Sequence, residues 1–210
     1  IIKKMKKSEE IVGYIDKLYP NAKCELTYNS DYGFLIAVML SAQCTDNKVN
    51  KVTPIIFSKY KSLEELDKAS LSDLEEIIKP LGLYKNKAAN IKSITHDLLT
   101  KFNGSVPKAK KDLMSVSGVG NKTANVVRME WFKEKEFPVD THVKRVANRL
   151  GLSNSEDVNV IEKDLRNTFS DDLYIKLHHQ FIFFGRYKCK AISPICNDCH
   201  LKKYCQKFKK

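Results

Sequence analysis

Residues 113 to 127 read L-M-S-V-S-G-V-G-N-K-T-A-N-V-V: a helical pattern, a turn holding Gly118 and Gly120, and a second helical pattern. Glycine at each turn position permits positive φ and close backbone approach. The N–H groups of Gly118, Val119, Gly120, Asn121 and Lys122 then point outward at a helix N-terminus, where they can hold a phosphate oxygen. The same letters would also serve as a plain connector, and Lys122 tips the balance. It falls in the first turn of the second helix, where the positive dipole end disfavours a further cation and should lower the ammonium pKa. An amine so placed can act as a nucleophile at neutral pH.

Eighteen residues on, the chain reads P-V-D-T-H-V-K-R-V-A-N-R-L from Pro138 to Leu150. Asp140 precedes an amphipathic stretch with Val143, Val146, Ala147 and Leu150 on one face. Asp is favoured as an N-cap, and a carboxylate following the lysine is also a candidate partner for its chemistry. His142 and Arg145 follow closely enough to face a phosphate backbone.

Near the C-terminus, Cys189, Cys196, Cys199 and Cys205 form a C-x6-C-x2-C-x5-C array. Four thiolates this close imply a metal centre. The spacing departs from paired C-x2-C zinc knuckles and suits a [4Fe-4S] cubane, with zinc and disulfides as the alternatives on the same sulfurs. Cys24 and Cys44 share no spacing with the array and read as small apolar residues. Unpaired cysteines and no apolar signal segment at the start point to a reducing compartment, which ranks disulfides last and places the protein in the cytoplasm. His178, His179 and His200 are not needed as ligands, and residues 1–4, before Met5, are assigned no function.

At 210 residues the chain can bury a real core, as one domain or two small ones. Its longest apolar run, Phe34 to Leu40, is seven residues, far short of the roughly 18 a membrane span needs. Lys and Arg outnumber Asp and Glu by 37 to 25, a net charge of +12 that points to an anionic partner such as nucleic acid. Residues 186 to 210 carry eight basic side chains against Asp198 alone, a basic collar around the cysteines suited to phosphate.

Period-3.6 patterns dominate and strand-like alternation is almost absent, so the fold class is all-α. Helices are predicted over 9–18, 31–42, 47–59, 62–69, 72–79, 85–102, 108–116, 121–132, 141–150, 159–169 and 173–184. Ser62 and Ser72 each stand three residues before a Glu, the signature of a capped helix start. No linker or internal repeat is evident.

Together these residues resemble the endonuclease III family of DNA glycosylases. The resemblance covers nearly the whole chain and rests on five ordered motifs: L-S-A-Q-C-T-D at 40–46, L-G-L-Y-K-N-K-A at 81–88, the helix-hairpin-helix with Lys122, V-D-T-H-V at 139–143, and the cysteine array. It implies a two-lobed helix-hairpin-helix fold. Residues 24–134 would form a six-helix barrel, and residues 1–23 with 135–210 a second lobe holding a [4Fe-4S] cluster on Cys189, Cys196, Cys199 and Cys205. It implies a monomer, associated with the nucleoid, that acts on double-stranded DNA carrying oxidised pyrimidines or abasic sites. Lys122 would attack C1′ and form a Schiff base whose β-elimination cuts the strand, with Asp140 assisting as a carboxylate. Gln43 and Leu83 match positions that fill the gap left by a flipped base, and Gly118, Val119 and Gly120 the phosphate-holding turn. Lys122, together with the end of the chain at residue 210, favours this reading over a monofunctional adenine glycosylase. Two departures stand out. Ser117 replaces a proline before the first hairpin glycine, which predicts a looser turn, and Asn121 replaces a basic residue before Lys122, which relaxes the pressure on its pKa.

Overall fold

The computed structural model describes residues 2–208, with side chains from residue 6 onward. Residue 1, the side chains of residues 2–4 in the segment before Met5, and Lys209 and Lys210 of the basic collar lie outside that description. Among the described residues there is no strand. Eleven α-helices run in chain order: α1 Ile2–Leu18, α2 Asp31–Leu40, α3 Asp46–Lys59, α4 Leu63–Lys68, α5 Leu71–Ile78, α6 Tyr84–Lys101, α7 Lys110–Ser115, α8 Asn121–Glu130, α9 Thr141–Arg149, α10 Val158–Arg166 and α11 Tyr174–Phe183. None is long and apolar enough to cross a membrane.

The predicted all-α class is what the chain adopts, with two local differences. Helix α1 begins at Ile2 rather than at Glu9. Helix α5 is capped by Ser70, whose Oγ accepts from the Asp73 N–H, and not by Ser72, which lies inside the helix. Both serines precede an acidic residue three positions on. Ser62 caps α4 as expected, accepting from the Glu65 N–H, while the Glu65 carboxylate takes the Lys61 N–H.

The chain divides into two compact units, one formed by residues 25–132 and the other by residues 1–24 with 133–210. In the first, α2 is the centre. Every side chain from Phe34 to Leu40 is buried, so the apolar run that is too short for a bilayer is a helix surrounded on all sides by protein. Helices α3, α6 and α8 pack directly against it. In the second unit, Ile11 and Ile15 of α1 join Phe137, Val143, Val146 and Phe181 in one core. Two bonds lock α1 to the far end of the chain: Tyr204 donates to the Glu10 carboxylate at 2.9 Å, and Tyr14 to the Asp198 carbonyl at 3.1 Å.

Candidate active site

The hairpin between α7 and α8 uses its two glycines differently. Gly118 has φ +78°, and a Cβ there would meet the Asn90 side chain at 3.1 Å. Gly120 has an ordinary extended backbone, φ −86°, with open space around its Cα, so the positive φ expected of both occurs only at the first. Val119 also departs from expectation. Its N–H donates to the Val116 carbonyl at 3.1 Å and its side chain is buried, so it closes the turn rather than offering a donor outward. Gly118 and Gly120 are exposed. No side chain caps α8 at Gly120. Lys122 stands in the first turn of α8, exposed, with no hydrogen bond or ion pair to its amine among the described residues.

Ser117, which replaces a proline, gives the turn an anchor of its own. Its N–H donates to the Asp97 carboxylate on α6 at 2.8 Å, a bond proline cannot make.

Gln43 and Leu83 share an unusual conformation. Both adopt left-handed backbone, φ +56° and φ +49°, which a side chain rarely tolerates. Both are exposed, Leu83 by 59%, so an apolar side chain is held out into solvent by a strained backbone. Such strain persists where function requires it. Behind the 81–88 loop, Lys87 is buried and donates to the Leu81 carbonyl. Burial lowers its ammonium pKa, and the Cys44 sulfur partly offsets this, which brings the 40–46 and 81–88 motifs together. Cys44 and Cys24 are partly exposed rather than buried.

In the other unit, Asp140 caps α9, its Oδ1 accepting from the Val143 N–H at 2.7 Å. Its second carboxylate oxygen has no hydrogen-bond partner among the described residues. Arg145, expected to face DNA, turns inward. Its guanidinium donates to the carbonyls of Cys189 at 3.1 Å and Gly185 at 2.8 Å, and to His142 Nδ1 at 3.1 Å. His142 Nδ1 is therefore an acceptor, and both residues brace α9 against the cysteine loop. Space at Gly185 is tight: a Cβ there would lie 3.0 Å from that of His142.

All six cysteines are free thiols. Cys189, Cys196, Cys199 and Cys205 line one pocket with Leu150, Phe184, Ile195 and Leu201, enclosing about 350 Å³ of empty space, part of it open to solvent. Arg149, which nothing in the local pattern marks, donates to the carbonyls of Cys189, Lys190 and Ala191 and to Cys189 Sγ at 3.4 Å. Burial pushes the Cys199 thiol pKa up, and the neighbouring Cys189 and Cys196 sulfurs add to this, while the Leu201 N–H and the Lys188 ammonium oppose it. Sulfurs that discourage one another's charge call for a cation among them. The chemistry of the donor set fits a cluster that takes one sulfur at each of several metals. The histidines are occupied elsewhere: His200 stacks on Tyr14 at 4.9 Å, and His178 Nδ1 meets the Pro138 carbonyl. Part of the basic collar is also spent internally, with Lys188 paired to Asp198 at 2.9 Å and Lys203 to Glu10.

Comparison with known proteins agrees with this arrangement. Residues 36–170 match the family described as HhH-GPD superfamily base excision DNA repair protein. Endonuclease III of Bacillus subtilis (strain 168) is 41% identical over 207 residues, covering 98% of this chain and 94% of that one. A solved structure of a trapped endonuclease III–DNA covalent intermediate is 43% identical, covers 95% of each chain and superposes with a TM-score of 0.90. A non-covalent endonuclease III–DNA complex is 42% identical, covers 96% of this chain and 95% of that one, and gives a TM-score of 0.92. With a hairpin, a capping aspartate and a four-cysteine pocket set on this fold, the chain belongs to the endonuclease III family of base excision DNA repair proteins.

Proposed function

We propose that this protein is a bifunctional DNA glycosylase and abasic-site lyase that removes oxidised pyrimidines from duplex DNA, with Lys122 as nucleophile and Asp140 as its assisting carboxylate. The observation that carries this reading is the uncommitted Lys122 amine in the first turn of α8, next to a hairpin with outward-facing glycines. The trapped covalent complex with DNA formed by a protein 43% identical to this one supports it.

The hairpin binds a phosphate through its backbone and seats the strand, while Leu83 and Gln43 fill the space the extruded nucleotide leaves. The Lys122 amine attacks C1′, and the bond to the base breaks as the N–C1′ bond forms, the electron pair leaving with the base. Loss of the amine proton and opening of the sugar give a Schiff base. Removal of a C2′ proton then expels the 3′ phosphate by β-elimination, and water releases Lys122. The free oxygen of Asp140 accepts a proton from the amine or faces the positive charge that develops on the sugar.

Cys189, Cys196, Cys199 and Cys205 hold a [4Fe-4S] cluster, whose task is to order the basic loop. The unit formed by residues 1–24 and 133–210 is thereby the cluster lobe, and the protein acts as a monomer in the cytoplasm.

The test is borohydride trapping on a duplex containing thymine glycol, comparing the native chain with Lys122→Ala. A covalent complex with the native chain alone supports the assignment. Equal trapping by the variant overturns Lys122 as nucleophile, and base release without trapping by the native chain makes the enzyme monofunctional.

A further inference from the structure

The geometry points to His178 as a positioning residue for Asp140, acting through the backbone of the segment that leads into α9; this rests on the catalytic reading of Asp140 given above.

His178 lies on α11 and is only 3% exposed. Its Nδ1 meets the Pro138 carbonyl at 2.9 Å, two residues before Asp140 and forty residues away along the chain. A carbonyl oxygen can only accept, so Nδ1 carries the proton and the tautomer is fixed. Pro138 is buried and brings no N–H of its own, so its carbonyl depends on a donor from another element. The side chains on either side, Phe137 and Val139, both sit in the core, and the Phe137 ring stands edge-on to His178 at 6.4 Å and 83°.

The extended run into the cap is therefore fixed by three neighbouring anchors, two apolar and one polar. Only the polar one has a direction. Apolar anchors hold the segment at a depth, whereas the imidazole sets the rotation of the Pro138 peptide and with it the line on which Asp140 begins α9. Asp140 spends Oδ1 on the Val143 N–H, so its free oxygen has no partner of its own to orient it. Its aim comes from the backbone that carries it, and small misplacements of a reacting group are costly in rate.

Two amide replacements separate this role from packing alone. Asparagine places its N–H₂ where Nδ1–H was, and glutamine extends past it toward the Nε2 position. In single-turnover excision of thymine glycol from a duplex, His178→Asn is expected to stay within about threefold of native and His178→Gln to fall about tenfold or more. Affinity for a duplex with an uncleavable abasic analogue should be unchanged in both. Asp140→Asn should lower excision by about 100-fold or more, and adding His178→Gln to it should cost nothing further, because the two act as one unit. A His178→Gln variant as fast as His178→Asn, or a full additional loss in the double variant, overturns the positioning role while leaving Asp140 in place. An Asp140→Asn variant that excises at the native rate overturns the catalytic reading and this inference with it. Nitrogen-15 spectra of the native imidazole give an independent check: a neutral ring protonated at Nδ1 supports the role, and one protonated at Nε2 refutes it.

Discussion

The Asp97 carboxylate of α6 holds the backbone N–H of Ser117, one residue before the left-handed Gly118, at 2.8 Å. Its other oxygen pairs with Lys101 at 2.7 Å. The hairpin is thus tied to the longest helix of its unit through a buried charge. Ser117→Pro would restore the usual family residue and stiffen the unfolded chain, a gain of about 0.4–1 kcal/mol. It would also delete a bond to a charged acceptor, a loss of about 1.5–3 kcal/mol. The loss is larger, so the variant should be less stable by about 1 kcal/mol in urea titration, and a more stable variant would refute the anchor.

The same carboxylate predicts an acid limb. Burial pushes the Asp97 pKa up, but the Lys101 ammonium and the Ser117 donors outweigh it and hold it below the usual carboxylate range. A folded-state pKa below the unfolded value means that the ionised form stabilises the fold above about pH 4. That contribution is lost as pH falls from there through the lowered folded value. Asp97→Asn should therefore be less stable at neutral pH and show a shallower decline as pH falls below about 4. An unchanged acid limb in urea midpoints measured against pH would remove Asp97 from the account.

Gly118→Ala meets two penalties at once, the left-handed backbone at φ +78° and a Cβ 3.1 Å from Asn90. Left-handed backbone alone costs roughly 1–2 kcal/mol for a residue with a Cβ. At Gly120 neither penalty applies, so Gly120→Ala should leave the thermal midpoint nearly native while hindering phosphate approach. Melting both variants and titrating each with duplex DNA checks the contrast.

Leu83→Gly should separate stability from activity. Removing the Cβ relieves a left-handed residue at φ +49°, which offsets the extra freedom glycine gains in the unfolded chain, about 0.5–1 kcal/mol. The variant should be at least as stable as native and yet excise thymine glycol more slowly, for want of an apolar wedge. Equal excision rates would assign the strain at Leu83 to some other cause.

On the proposal that a cluster orders the cysteine loop and takes no part in bond breaking, stripping iron should weaken binding to duplex DNA more than it lowers the single-turnover rate at saturating DNA. Folded, iron-free protein that binds DNA as tightly as native would dismiss that role.

Periodicity and motif spacing made the helices and the chemistry-bearing residues legible, because both are local properties of the chain. Ser62 could be recognised as a cap from its own neighbours, while the same signal at Ser72 missed the true cap of α5, Ser70, two residues earlier. The left-handed backbones at Gln43 and Leu83 carried no sign, since neither position is a glycine. Arg145 read as a surface cation and turned out to grip the Cys189 carbonyl 44 residues away. Bonds such as that one, Ser117 to Asp97 and His178 to Pro138 join side chain to backbone across helices, and no sequence period encodes them.

The unit that carries the cysteines is assembled from both ends of the chain, around an uninterrupted stretch that forms the other unit. During synthesis, residues 25–132 can complete their core around α2 as soon as they emerge. Helix α1, made first, must wait. Ile11 and Ile15 gain their neighbours only once Phe137, Phe181 and Leu201 have been made, and Glu10 meets Tyr204 across a sequence separation of 194. Bringing such distant segments together is slow relative to local helix formation. The order of birth is therefore the reverse of the order of closure, and the cysteine pocket is among the last parts of the molecule to take shape.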